Sequence, residues 1–227
     1  PMIYYPLSIL MLSDIREILL IVKEKDINAY KNLLGDGEKL GINIKYEIQN
    51  NPDGLAQSFL IGEDFICNSP VALILGDNLY HGSGLVQQLQ SANKQADKNT
   101  IFAYPVKDPE RYGIVEFNEK GDPLNIEEKP AYPKSRYAIT GLYFLDNSVV
   151  EKAKKVNPSK RGEFEITSIL NMYLKEENLS LELLGRGIAW FDTGTFDALH
   201  QAGSKIRIIS KSKTLASFFK GVEDTIV

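Results

Sequence analysis

The sequence predicts an α/β fold, an open sheet with helices on both faces, together with a β-rich portion inserted in or appended to it. Three observations support this reading. Short apolar runs of strand length alternate with helical segments from Glu17 to Val106. After Pro109, three strand-like segments follow one another without an intervening helix. The chain has 227 residues, 43% hydrophobic and 25% charged, enough for one large domain with a substantial core.

Taken in order, residues 2–12 are apolar on most faces. "EILLIV" (17–22) is a continuous run suited to a strand covered on both sides. "DINAYKNLLGDGEKLG" reads as a helix with Asp26 as N-cap and Gly35 as its stop. "INIKYEIQ" alternates as a strand, "PDGLAQSFLIGEDFI" is helical, and "PVALIL" is the next buried strand. "GLVQQLQSANKQA" continues as a helix and "TIFAYPV" as a strand. The β-rich portion comprises "YGIVEFN", "PLNIEEKP" and "YAITGLYFLD", with Gly121 and Asp122 turning between the first two. Helices return in "SVVEKAKKV" and "EFEITSILNMYLKEE". The short strands "LSLELLG" and "IAWFD" follow, then a last helix from about Thr195. With no internal repeat or long linker, residues 1–227 read as a single domain.

Composition narrows the function classes. A formal net charge of −4 gives no reason to expect nucleic acid or an anionic membrane as a partner. The single cysteine, Cys67, has no internal disulfide partner, which suits a reducing compartment. No apolar run reaches the length of a membrane span and no basic-then-apolar leader opens the sequence. The expectation is a soluble, cytoplasmic protein.

The chemistry concentrates at strand ends, where open α/β sheets bind ligands. "VALILGDN" (71–78) is the most apolar run in the chain and stops at Gly76, Asp77 and Asn78. A carboxylate there can reach a hard cation from a rigid mount, although Gly-Asp-Asn is also good turn or cap chemistry. "GIAWFDTGT" (187–195) again ends an apolar run in one aspartate, Asp192, where an N-cap is the plainer reading. Together, two isolated strand-end carboxylates suit magnesium, whose other positions go to water and phosphate oxygens. In "EEKP" (127–130), Lys129 precedes Pro130, which biases it toward extended geometry. It can bind a phosphate, and an adjacent glutamate can accept from sugar hydroxyls; a solvated charge cluster is the plain alternative. "QNNPDGLAQ" (49–57) is a turn opening a helix, whose free amides could face a base or phosphate. His81, next to Asp77, reads as a loop residue, His200 as a helix residue, and Cys67 as inert.

"NPDGLAQ", "LILGDN", "DPERYGIVEF", "EEKP", "YAITGLYF", "RGEFEIT" and "AWFDTGT", in this order and spacing, resemble the glucose-1-phosphate thymidylyltransferases of the sugar nucleotidyltransferase family, from Pro1 to about Gln201. The resemblance implies a Rossmann-like open mixed sheet, the nucleoside-diphosphate-sugar transferase fold, with a small sugar-binding β-rich portion. It implies transfer of a thymidylyl group from dTTP to glucose 1-phosphate, giving dTDP-glucose and pyrophosphate on the way to dTDP-rhamnose, with Mg2+ as cofactor in a homo-oligomer, a tetramer. It implies Asp77 and Asp192 as metal ligands, with Lys129 beside them as a catalytic cation on the sugar phosphate. Gln49 and Gly54, with Asp77, would hold the nucleotide, while Asn78, Gly113, Glu128, Ile139, Tyr143 and Trp190 would line the sugar-phosphate pocket.

Members of that family open on a strand and a Gly-Gly-x-Gly-Thr-Arg-Leu loop followed by a lysine, whereas this sequence starts at "PMIYYPL" and ends in "LASFFKGVEDTIV". The expectation is therefore a chain truncated at its N-terminus and at its C-terminus, whose sheet leaves neighbouring strands unpaired and apolar surface uncovered. Two alternatives stay open at this point: a catalytically silent remnant that binds nucleotide sugar, and a uridylyl- or cytidylyltransferase of the same fold. A glycosyltransferase using Asp-x-Asp is disfavoured, because "GDN" lacks the second acid.

Overall fold

The computed structural model describes residues 1–95, 98–195, 198–200 and 202–204. Its elements are α1 (Tyr4–Leu12), β1 (Glu17–Val22), α2 (Ile27–Leu34), β2 (Asn43–Ile48), α3 (Gln57–Ile61), α4 (Glu63–Ile66), β3 (Val71–Ile74), β4 (Asn78–Gly82), α5 (Leu85–Lys94) and β5 (Asn99–Pro105). They continue with β6 (Gly113–Phe117), β7 (Pro123–Glu128), β8 (Tyr137–Leu145), α6 (Val149–Ala153), α7 (Ile166–Lys175), β9 (Leu179–Leu183) and β10 (Ile188–Asp192).

The largest sheet runs β7-β6-β8-β5-β9, with β3 also paired to β8. It is mixed, since β9 joins β5 in parallel while the other pairs are antiparallel. Side chains of a strand alternate between faces, and both faces of this sheet are covered. On β5, Ile101 and Ala103 pack with Phe59, Val149, Ile169, Leu170 and Tyr173, from α3, α6 and α7. Phe102, between them, faces Ile9, Leu85 and Leu89 from α1 and α5. The expected open mixed sheet with helices on both faces is what the chain forms.

Asp146, just beyond β8, ties three elements together. It accepts from Asn99 Nδ2 at 3.2 Å, from the Ser148 amide at 2.9 Å and from the Tyr173 hydroxyl at 2.8 Å. The Ser148 hydroxyl also donates to it at 2.5 Å. Burial pushes the Asp146 carboxyl up, but these donors outweigh burial and hold it below the usual carboxylate range.

Several elements differ from the sequence reading. β1 is not covered on both sides: only Ile18 is buried, and every residue of β3 is half-buried. Among the described residues β1 pairs only with β2, and β3 only with β8. Leu19, Ile21, Leu73 and Ile74 line one apolar cleft of about 510 Å³ between them. The helix expected over residues 52–66 is two short ones, broken at Gly62 where a β-carbon would come within 3.2 Å of Leu19 Cδ2.

Asp26 stands at the N-cap of α2, but its side chain makes no capping bond; Gly35 does end the helix, at φ +58°. β4 was not foreseen, and His81 is a strand residue opposite Ala189 rather than part of a loop. The sequence "NLYHG" has weak strand character, and its pairing with β10 is set by a partner far along the chain. The helix expected from about Thr195 lies largely outside the described residues. No helix among the described residues is long and apolar enough to cross a membrane.

Candidate active site

A second cleft, of about 490 Å³, gathers every residue to which the sequence reading gave a site role. Asp77 and Asn78 reach it from the β3–β4 turn, Gly113 from the start of β6, and Glu128 and Lys129 from the end of β7. Ile139 and Tyr143 project from β8, Trp190 and Asp192 stand on β10, and Gln49 and Gly54 lie between β2 and α3.

The two aspartates meet because β4 and β10 pair antiparallel, placing Asp192 opposite Asn78. Asp192 Oδ1 and Asp77 Oδ2 lie 3.1 and 3.3 Å from the point where a β-carbon on Gly194 would sit. Glycine thus leaves open a small space flanked by two carboxylate oxygens. Neither aspartate is in a salt bridge among the described residues. Hard oxygen donors facing an open volume fit a magnesium ion that keeps water and phosphate oxygens in its remaining positions. The described residues contain no group of three or more potential ligands, so water, and phosphate oxygens where substrate is bound, would fill the rest of such an ion's positions. Asp77 stands in the turn between β3 and β4, with a strand rather than a helix after it, and Asp192 Oδ1 accepts from the Gly194 amide at 3.0 Å within the following turn, while the Ala198 amide donates to the Thr195 hydroxyl at 3.2 Å.

Lys129 departs from expectation. Its φ is +43°, a left-handed backbone rather than the extended geometry favoured before proline. Its amide donates to the Tyr112 carbonyl at 3.0 Å, which anchors the turn. Non-glycine residues hold this conformation at a cost when surrounding structure fixes them.

Glu128 is raised above the usual carboxylate range, first by burial and then by the neighbouring Glu165; Lys129, Thr167 and Arg161 pull against this. Gly113 keeps a niche open beside it, since a β-carbon there would come within 3.0 Å of Thr167 Cγ2 and 3.2 Å of Glu128 Oε2. Tyr143 and Ile139 wall the niche and are buried. Burial pushes the Tyr143 hydroxyl up, so it stays a neutral phenol.

On the opposite wall, Gln49 Nε2 donates to Gln57 Oε1 at 2.6 Å. Gly54, at φ +117°, lies so close to residue 164 that a β-carbon would fall onto the Phe164 backbone. The Phe164 amide donates to the Asp53 carbonyl at 2.6 Å, and the Ala56 amide to the Phe164 carbonyl at 3.1 Å. Within this turn the amides of Asp53, Ala56 and Gln57 are bonded inside the protein, to the carbonyls of Asn51, Phe164 and Gly54.

The sequence reading missed Arg161. Its guanidinium lies 2.7 Å from Glu163, 3.4 Å from Glu165 and 3.6 Å from Glu128, gathering three carboxylates beside the niche. Thr167, Tyr112 and Arg111 also line the cleft unforeseen. Apart from Gly113, the residues of "RGEFEIT" and "DPERYG" stood in the sequence without chemistry attached, because nothing in one dimension places them beside "EEKP".

Known proteins resemble the chain over most of its length. A family model described as nucleotidyl transferase matches residues 1–208. The chain is 53% identical over 215 residues to a glucose-1-phosphate thymidylyltransferase of Neisseria meningitidis serogroup A, covering 95% of this chain and 75% of the relative. A crystal structure described as a glucose-1-phosphate thymidylyltransferase of Bacillus anthracis in complex with sucrose superposes with a TM-score of 0.83 at 34% identity, over 91% of this chain and 82% of that one. A UDP-glucose pyrophosphorylase with UDP-glucose, 21% identical, shares the fold with a TM-score of 0.79 over 91% of this chain and 86% of its own. The chain belongs to the nucleotidyl transferase family and, within it, to the glucose-1-phosphate thymidylyltransferases.

Proposed function

We propose that this chain transfers a thymidylyl group from dTTP to glucose 1-phosphate, giving dTDP-glucose and pyrophosphate, in the cleft between Asp77 and Glu128. The observation that carries the reading is the convergence of two strand-end carboxylates, a lysine and a half-buried glutamate in one cavity of about 490 Å³. Asp77 and Asp192 would hold Mg2+. When bound, the ion would neutralise the negative charge of the phosphates. Lys129 would stand against the phosphate of the sugar, its turn fixed by the bond to Tyr112. Glu128 would accept from sugar hydroxyls beside Gly113, with Ile139 and Tyr143 supplying the apolar wall. Gln49 and Gly54 would hold the base on the opposite wall. The phosphate oxygen of glucose 1-phosphate would attack the α-phosphorus in line as pyrophosphate departs, so the protein contributes positioning and charge neutralisation rather than a covalent intermediate.

The test is pyrophosphate release by the purified chain with dTTP, glucose 1-phosphate and Mg2+, using dTTP alone as the blank and UTP and CTP in place of dTTP. Release that requires the sugar phosphate and prefers dTTP is the expected result. Release equal with UTP overturns the nucleotide assignment, and none with any nucleotide overturns the activity of this chain.

A further inference from the structure

Asn78 is only 2% exposed, so its amide must find partners inside the protein. Two donors converge on one of its terminal atoms: Trp190 Nε1 at 2.6 Å and the Gly141 amide at 3.2 Å. Neither donor can accept, so the atom they face must be the amide oxygen, and the flip of the group is dictated. The amide nitrogen is thereby turned onto Asp77 Oδ1, to which it donates at 2.9 Å. With that oxygen bonded, Asp77 Oδ2 is the one that faces the point over Gly194, across from Asp192 Oδ1, which accepts from the Gly194 amide at 3.0 Å and keeps its other lone pair for a cation.

The indole that starts this chain of bonds is itself held. Trp190 is buried, with Tyr112 and Tyr104 edge-on at ring-centroid distances of 5.5 and 6.1 Å. Gly141 also contributes by its lack of a side chain, since a β-carbon there would come within 3.0 Å of Asn78 Cγ and 2.6 Å of Leu75 Cδ1. The polar atoms of Asn78 and Trp190 therefore point inward at one another and at Asp77, rather than outward at a sugar.

We infer that Trp190 and Asn78 are positioning residues, a two-link relay that fixes which oxygen of Asp77 is offered to a divalent cation. The inference rests on the proposed role of Asp77 and Asp192 as cation ligands. Groups behind a metal ligand commonly set its orientation, and their loss weakens metal affinity by about tenfold or more.

The probe is Mn2+ alone, without nucleotide, with free ion counted by its electron paramagnetic resonance signal. Trp190→Phe keeps an aromatic ring and removes the N–H; Asn78→Ala removes the middle link. Each should weaken Mn2+ binding about tenfold, and the double variant should be no weaker than Asn78→Ala, because links in series do not add. Binding by Trp190→Phe within twofold of the parent, or additive losses, overturns the relay. Asp77→Asn is the control: if it retains parental affinity, the cation reading itself falls and the relay with it.

Should Trp190→Phe fail to fold, the unaltered residue still reports. It is the single tryptophan of the chain, so its indole ¹⁵N–¹H resonance needs no assignment. That resonance should shift when Mg2+ is added and stay unmoved in Asn78→Ala. A resonance that ignores Mg2+ in the parent, or shifts equally in Asn78→Ala, overturns the inference.

Discussion

Thr193 donates both its backbone N–H and its hydroxyl to the Asp77 carbonyl, at 2.9 and 2.7 Å. These bonds clamp the segment after β10 to the turn before β4, so the two candidate metal carboxylates share one rigid mount.

Because that mount is built from backbone pairing rather than from the carboxylates, Asp77→Asn and Asp192→Asn should leave the fold in place. Each should lower thymidylyl transfer about a hundredfold or more at saturating substrate. Steady-state kinetics beside a thermal melt checks this, and normal turnover by either variant would remove it from the metal site.

Gly113→Ala would set a methyl group within 3.0 Å of Thr167 Cγ2 and 3.2 Å of Glu128 Oε2. One misplaced carbon in a sugar niche is worth about tenfold. The KM for glucose 1-phosphate should therefore rise about tenfold while the KM for dTTP stays near the parent's. An equal rise in both would place Gly113 outside the sugar niche.

Asp146→Asn should destabilise the chain by about 1–2 kcal/mol at pH 7, a value at the low end for charge-assisted bonds because the residue is partly exposed. The carboxyl is held low in the folded state, so its stabilisation is present above the ordinary aspartate range and fades as pH falls through the depressed value. Melts at pH 7 should separate the variant from the parent, and the gap should narrow progressively as the pH is taken below the ordinary aspartate value. A gap independent of pH would mean that the carboxylate charge does not contribute.

Glu128 titrates in the opposite sense. Its folded carboxyl is raised, chiefly by burial, so it favours the folded chain at acid pH and that contribution is lost as pH rises through the raised value. Glu128→Gln should therefore melt above the parent at pH 8, with the difference closing toward pH 4, while glucose 1-phosphate binds more weakly. A variant less stable than the parent at pH 8 would contradict the burial argument.

Much of the fold was visible in one dimension because period and composition report burial directly. "TIFAYPV" and "YAITGLYF" read as strands because both their faces are covered, and Asp77 and Asp192 stood out because each interrupts an apolar run. β4 escaped, since "NLYHG" becomes a strand only by pairing with β10. Lys129 escaped in its backbone: the local bias before proline was overruled by its hydrogen bond to Tyr112. Arg161 carried only part of its signature locally: Glu163 and Glu165 stand two and four positions along in "RGEFEIT", while Glu128 is brought to it by the packing of α7 beside β7.

The sequence by itself determined the order of elements, the alternation of buried faces and the identity of the polar residues at strand ends, because these depend on neighbours a few positions apart. Only the tertiary structure decided which oxygen of Asp77 faces Asp192, which way the Asn78 amide is turned, and that Trp190 and Gly141 turn it. Those are relations among residues more than sixty positions apart, fixed by the requirement that buried donors find acceptors, and no local pattern encodes them.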